Sequence, residues 1–342
     1  VVCGSSNKFF CEQTHGDEKI LRGLKTRSSI WVEPFTLSEV KKYFFQHWSL
    51  EEICLAHMML GGVPYYLSQI DQKLGFIHAM NEALFLQKNI FQDEVDEILG
   101  LEFNNRGVKT VKTILSVLGQ NGTTQDLIQK KTGLSAGGVS ETLDKLIDYG
   151  LVFSKIPAHT RTTRNGAGVT YFMKDFFLNF YFQILAPLKQ RISENAKGLL
   201  FPYACLASKK GYYIPNFSGN AFELLVRSVL EKPALSKTAT IFKKMQLLDH
   251  DYEVSTYWDK TTQVDLIVEH AHDRISRLLE CKWVSGPVDI DSLVTEVLAK
   301  NYTPPQGFTK KHFLCLSQNV SSTLKEKAEQ QGITVLGLED LF

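Results

Sequence analysis

Apolar and polar positions along this chain follow two different periods, and the change of period divides it. From residue 36 to residue 104 the apolar positions recur at helical spacing. Thr36-Leu37-Ser38-Glu39 and Ser49-Leu50-Glu51-Glu52 each set a hydroxyl three residues ahead of a glutamate, the capping-box pattern that opens a helix. The first of these helices is expected to continue through Phe44, Phe45 and Trp48, and the second through Met59. Gly61-Gly62-Val63-Pro64 stops the second, and Tyr65-Tyr66-Leu67 begins another. Helices then continue through Phe91 and Leu99.

Residues 105–175 predict a winged helix-turn-helix. Its first helix is Val108–Leu118, with apolar residues at Val108, Val111, Ile114, Leu115 and Leu118. Gly119-Gln120-Asn121-Gly122 turns the chain, and Thr123-Thr124 caps a second helix over Gln125–Thr132. A third runs from about Ala136 to Tyr149, with Val139, Leu143, Leu146 and Ile147 facing in. Leu151-Val152-Phe153 and Val169–Met173 then pair as strands around a wing, Pro157–Gly168. Residues 176–215 hold an aromatic helix, Phe176–Leu185, and a basic connector. The aromatics of 171–182 read as core rather than as a base-stacking platform.

Over residues 216–342 helical and strand periods alternate. The order is a helix (Gly219–Leu230), strands (about 239–270 and 275–283), a helix (290–300), a strand (Lys311–Ser317), a helix (Ser322–Gln330) and a strand (Thr334–Leu336). This predicts an α/β sandwich with a mixed sheet. Residues 1–35 hold two strand-like runs, Val1–Cys3 and Ser29–Pro34, which cannot make a core by themselves. The abrupt start, without an initiator Met, predicts a fragment of a longer protein.

Composition changes this picture in three ways. The 342 residues, 44% hydrophobic, are enough for two to three domains. The net charge of +1 gives no general reason to expect nucleic acid, but the charge is unevenly spread. Residues 33–103 hold 4 Lys/Arg against 11 Asp/Glu, whereas residues 151–215 hold 9 Lys/Arg against 2 Asp/Glu. Either the two segments complement each other or the basic one meets an anionic partner. Six scattered cysteines without a CxxC pair point to a reduced, cytoplasmic chain. No apolar run reaches membrane-spanning length and no signal peptide is visible, so no membrane partner is expected.

The chemistry concentrates in Gln263–Lys282. Val264–Val268 and Arg277–Lys282 read as two strands joined by a polar turn, where His270 and His272 are expected to be solvated. Strand side chains alternate faces, so Glu280 and Lys282 share one, and Asp265 sits across from them if the hairpin pairs. Paired carboxylates hold a hard cation such as Mg²⁺ or Mn²⁺. A lysine beside them orients or deprotonates a water. Glu223, on the helix that opens the segment, offers a third carboxylate. A structural salt bridge between Glu280 and Lys282 is the alternative. In the winged helix, the third helix carries Glu141, Asp144 and Asp148, too acidic for the major groove. The wing residues His159, Arg161 and Arg164, among Thr160, Thr162 and Thr163, suit phosphate contacts.

This order of elements and acids resembles the PD-(D/E)XK nuclease superfamily. The resemblance implies that Glu223, Asp265 and Glu280 are metal ligands, that Lys282 is the catalytic lysine, and that the reaction is metal-dependent attack of water on a phosphodiester. A wider resemblance rests on VVCGSS, VEPFTLSEV, LGGVPYYL, the winged helix, GNAFELLV, YWDKTTQVDLIVE and LLECKW. These together are similar to the archaeal-type ATPases of the STAND/AAA+ group, whose C-terminal region is nuclease-like. It implies residues 1–35 as the end of a P-loop ATPase core, 36–104 as a helical lid and 105–175 as the winged helix. It further implies 176–215 as a basic connector and 216–342 as a restriction-endonuclease-like domain. No GxxxxGK[ST] and no acid-tipped Walker B strand occur here, so ATP belongs to the full-length protein only and no ATPase activity is expected of this chain. Leu24-Lys25 stand where the group often has two basic residues, leaving Lys25 or Arg27 as the phosphate sensor, and Gln263 stands where it often has an acid. The implied partners are nucleic acid, with DNA foremost, the missing N-terminal ATPase half, and further copies of the chain in an oligomer. Two other readings stay open: in this group the winged helix also serves as a regulatory lid on the nucleotide domain, and the whole can act as an ATP-driven switch that binds DNA or protein without cleavage.

Overall fold

A computed structural model describes residues 32–86, 90–103, 105–118, 122–159, 168–188, 214–236, 238–247, 251–284, 286–318 and 320–342. The strand expected over Val1–Cys3, Lys25 and Arg27, and most of the basic connector lie outside the described residues, as do Arg161 and Arg164; of the strand expected over Ser29–Pro34, the described residues 32–34 form none.

Both capping boxes form. The Thr36 hydroxyl accepts from the Glu39 amide and Glu39 returns to the Thr36 amide, opening α1 (Leu37–Tyr43). Ser49 and Glu52 do the same for α2 (Leu50–Leu60). α1 stops at Tyr43 rather than running on to Trp48. The next aromatics are used in packing instead: Phe45 and Trp48 stack at 4.1 Å, and Trp48 meets the Phe76 ring edge-on at 5.2 Å. Seven of the eleven α2 residues are buried, including Cys54, His57 and Met58, so α2 runs through the core rather than along the surface. Gly61 ends it at φ +65°, and Gly62 lies so close to Phe35 that a Cβ would strike the Phe35 carbonyl oxygen. Phe35 N donates to Gly62 O at 2.8 Å, fixing the stop the sequence predicts.

Three further helices follow: α3 (Pro64–Ser68), α4 (Phe76–Asn81), which continues into a π-turn over Glu82–Leu86, and α5 (Ile90–Glu102). Then come α6 (Asn105–Leu118), α7 (Gln125–Thr132) and α8 (Ala136–Asp148), near the expected positions. Thr124 caps α7, Gly133 ends it in the left-handed region, and Ser135 caps α8. Val139, Leu143 and Leu146 are buried, whereas Ile147, expected inside, is on the exposed side. Strands β1 (Val152–Lys155) and β2 (Thr170–Met173) pair antiparallel, from Val152↔Met173 to Lys155↔Thr170. α9 (Phe176–Phe180) passes into a second π-turn, Tyr181–Leu185, and its Phe177, Phe180, Tyr181 and Phe182 are core, as expected.

The C-terminal part opens with α10 (Ile214–Glu231). A single turn, α11 (Ile241–Lys244), stands where strand was expected after residue 239. Burial of Ile241 and Met245, four residues apart, is satisfied by a helical turn. β3 (Tyr252–Trp258), β4 (Gln263–His270), β5 (Ile275–Lys282), β6 (Thr309–Leu316) and β7 (Ile333–Leu336) form one sheet in that order. The first three strands are antiparallel and the last two add in parallel, connected through α12 (Ile290–Leu298) and α13 (Ser322–Gln330). Mixed pairing and helical crossovers make this an α/β arrangement.

The sheet has an apolar cluster on each face. Leu266, Val268, Leu279, Cys281, Phe313 and Cys315 join the large cluster that also holds α2, α9 and α10. Leu314, Leu316, Ile333 and Val335 join Val294 and Val297 of α12 in another. β5 is therefore buried along nearly its whole length, Glu280 and Arg277 included. Arg277 donates to the carbonyls of Met245 and Gln246 and pairs with Asp273, which satisfies its buried charge. No described helix is long and apolar enough to cross a membrane.

Candidate functional site

The site forms where β4 begins and β5 ends, because antiparallel pairing brings those ends together. A β-bulge shapes it. Ser255 pairs with Ile267 and Tyr257 with Val264, so Asp265 and Leu266 together lie opposite the single residue Thr256. Such a bulge re-aims a side chain that regular alternation would place elsewhere. The recorded β4–β5 pairs end at Leu266↔Leu279, and beyond them the side chains take over. Cys281 N donates to Asp265 Oδ2 at 2.9 Å, and Asp265 N lies 3.4 Å from Glu280 Oε1. Each acid is thus fixed by the other's strand.

Burial and mutual repulsion set the charges. Glu280 is 2% exposed. Burial, then the neighbouring carboxylates of Glu280 and Glu223, push the Asp265 carboxyl up to about 7. Burial also raises the Glu280 carboxyl, against the opposing pull of Lys300 and Lys282. Lys300 Nζ lies 3.2 Å and Lys282 Nζ 3.7 Å from Glu280 Oε2, and among the described atoms no donor makes an aligned hydrogen bond to that oxygen. Lys300 also donates to the Gln263 carbonyl at 2.7 Å, and Lys282 to Glu296 Oε1 of α12 at 2.7 Å. Burial works against the Lys282 charge, but Glu296, Glu280 and Asp265 outweigh it and hold the ammonium above its ordinary range.

Of the four residues predicted for this site, Asp265, Glu280 and Lys282 meet. Glu223 lies near enough to raise Asp265, but its Oε1 accepts from Lys155 Nζ at 2.8 Å. Among the described residues, no three His, Cys, Asp or Glu side chains are arranged to hold one metal ion. The expected convergence of Glu223, Asp265 and Glu280 is thus replaced by a pair, Asp265–Glu280, with Glu223 tied to a lysine. The pair suits a hard divalent cation: two oxygen-donor groups are adjacent, and one buried oxygen has no aligned donor.

The predicted phosphate contact at His159 is also placed differently. His159 Nε2 is 2.9 Å from Tyr302 Oη and 3.0 Å from Glu269 Oε2, so it faces the C-terminal sheet. Tyr302 and Ser276 both donate to Glu269 Oε1, at 3.0 and 2.5 Å. Arg161 and Arg164 lie outside the described residues. His270, expected in solvent, is 9% exposed with Nδ1 3.4 Å from Asp273, while His272 is exposed as expected.

Sequence reasoning missed Lys155, Lys300 and Glu296. Lys155 meets a partner 68 residues away and Lys300 one 20 residues away, and no local periodicity reports such pairs. The one trace of Lys155 was that it ends its strand two residues after Phe153, on the same face.

Comparison with known proteins gives a family model and distant relatives. Residues 203–293 match the DUF234 family, described as archaeal and bacterial proteins of unknown function. That span includes Glu223, Asp265, Glu280 and Lys282. The chain is 24% identical over 284 residues to "Uncharacterized protein MJECL04" of Methanocaldococcus jannaschii, covering 83% of this chain and 59% of that protein. It thus spans under two thirds of that relative's length. A solved structure, protein VC1899 from Vibrio cholerae, aligns over 77% of this chain and 53% of its own at 12% identity and a TM-score of 0.23.

Proposed function

We propose that residues 216–342 form a nuclease-like module of the PD-(D/E)XK type that hydrolyses phosphodiester bonds in nucleic acid with Mg²⁺ or Mn²⁺. In this reading residues 36–104 are a helical lid, 105–175 a winged helix, and the whole is the C-terminal part of an ATPase-linked protein. ATP would act only in the full-length protein. The observation that carries the proposal is the interlocked pair Asp265–Glu280 beside Lys282, at a bulge in an otherwise regular sheet.

Asp265 and Glu280 would hold the cation. When bound, it would supply Lewis-acid stabilisation of the charge that grows on the phosphate. Asp265 Oδ2 accepts from Cys281 N–H, so Oδ1 is the oxygen that Asp265 would offer the cation. Lys282 keeps its proton at neutral pH, because Glu296, Glu280 and Asp265 favour the ammonium. It therefore orients water or phosphate oxygen by donating a hydrogen bond and does not act as the base. Burial of β5 keeps bulk water from Glu280.

The test is cleavage of plasmid and single-stranded DNA by the full chain, with Mg²⁺ and Mn²⁺. Cleavage lost in both Asp265→Ala and Lys282→Ala supports the assignment, and cleavage unchanged in both rejects it. A second reading is an ATP-driven switch or scaffold that binds DNA or protein without cutting. What favours it is that Glu223 and Glu280 both already have lysine partners. Salt-dependent DNA binding without cleavage under any metal selects that reading.

A further inference from the structure

Lys155 closes β1, yet its side chain belongs to the C-terminal site. It is 8% exposed, and its ammonium donates to Glu223 Oε1 at 2.8 Å. The same Nζ stands 4.6 Å from the centre of the Phe172 ring and 5.4 Å from that of Phe153. Two ring faces and a carboxylate make a fitted seat for a desolvated cation. Burial opposes the charge, and Glu223 is the first of the groups that sustain it.

The chain beyond Lys155 keeps it there. Ala158 N donates to the carbonyl of Thr256, the residue that faces the bulge carrying Asp265. His159 then reaches Tyr302 and Glu269. Residues 155–159 thus run from α10 across β3 to β4, with contacts at Lys155, Ala158 and His159. A cavity of about 390 Å³ lies alongside, bordered by Lys155, Glu223, Thr256, Trp258 and Gln263.

An ammonium and a divalent cation compete for the same carboxylate oxygens, and the partly buried Glu223 already has the ammonium. We propose that Lys155 is the resident cation of Glu223, filling a place that would otherwise bind metal. The intact chain then holds its divalent ion with Asp265 and Glu280 alone, and Glu223, which is near enough to act on Asp265, becomes available to that ion only when Lys155 is removed. This rests on the reading of Asp265–Glu280 as a cation site.

The experiment is Mn²⁺ titration of the full chain by calorimetry, with the Mn²⁺-induced shift in thermal unfolding as a second readout. Lys155→Met preserves the packing against Phe153 and Phe172 while removing the charge. It is expected to bind its one equivalent of Mn²⁺ at least tenfold more tightly, with a larger thermal shift than wild type. Lys155→Arg is expected to behave as wild type, and the double variant Lys155→Met with Glu223→Gln is expected to return to wild-type affinity. Unchanged stoichiometry and affinity in Lys155→Met, with binding still lost in Asp265→Ala, overturns the inference and leaves the site reading standing. Absence of Mn²⁺ binding in both wild type and Lys155→Met overturns the site reading and the inference with it. If Lys155→Met does not fold, Glu223→Gln alone decides: wild-type Mn²⁺ binding agrees with a lysine-filled Glu223, and loss of the single equivalent contradicts it.

Discussion

Asp265→Asn should make this protein more stable, and the gain should depend on pH. In the folded chain the Asp265 carboxyl titrates at about 7, against an ordinary aspartate near 3.9 when unfolded. Between those values the folded state binds the extra proton. The stability that the protonated form provides is complete below about pH 4 and is lost as pH rises through about 7. A difference of about three pK units corresponds to roughly 4 kcal/mol, an upper bound because Glu280 titrates together with Asp265. The asparagine keeps a carbonyl oxygen for Cys281 N–H but must bury an amide in place of the second carboxylate oxygen. The expected net gain is about 2 kcal/mol at pH 8, shrinking toward zero at pH 5. Urea unfolding in EDTA at pH 5, 6, 7 and 8 measures it. An Asp265→Asn variant that loses stability equally at every pH would refute the reasoning, since Asp265 would then be an ordinary structural partner.

Lys300→Met should destabilise the fold by about 1–3 kcal/mol at neutral pH, because buried Glu280 loses its nearer cation; denaturant midpoints report this. Gly62→Ala should cost more than about 2 kcal/mol in the same assay, since the added Cβ must displace the Phe35 backbone. If the segment carrying Arg161 and Arg164 contacts phosphates, replacing both by Ser should weaken DNA binding and flatten the salt dependence by about two units of slope; an unchanged slope removes that segment from the interface.

What was legible in the sequence was local. The capping boxes at Thr36 and Ser49 and the turn at Gly133 are set within a few residues, and the helices start and stop there. Strand pairing around the turn after His270 was legible for the same reason. The bulge at Asp265 was not, because alternation in VDLIV reads the same with or without an inserted residue. Nor was the burial of His270, which depends on neighbours distant in the chain. The site was half legible: Asp265, Glu280 and Lys282 follow from one hairpin. Glu223 has its expected helix but not its expected partner, because Lys155 arrives from a strand that no hydrophobic pattern links to it. The tract after residue 239 was expected as strand, whereas tertiary burial of Ile241 and Met245 selected one helical turn.

The central claim is that Asp265 and Glu280 hold a divalent cation and cut a phosphodiester. It is tested most directly by one time course of DNA cleavage by the full chain in Mn²⁺, set beside Asp265→Ala at equal protein and metal. The account predicts metal-dependent cleavage by wild type and a loss of at least a hundredfold in the variant. Equal cleavage by both proteins, or none by wild type in Mn²⁺ or Mg²⁺, would contradict it.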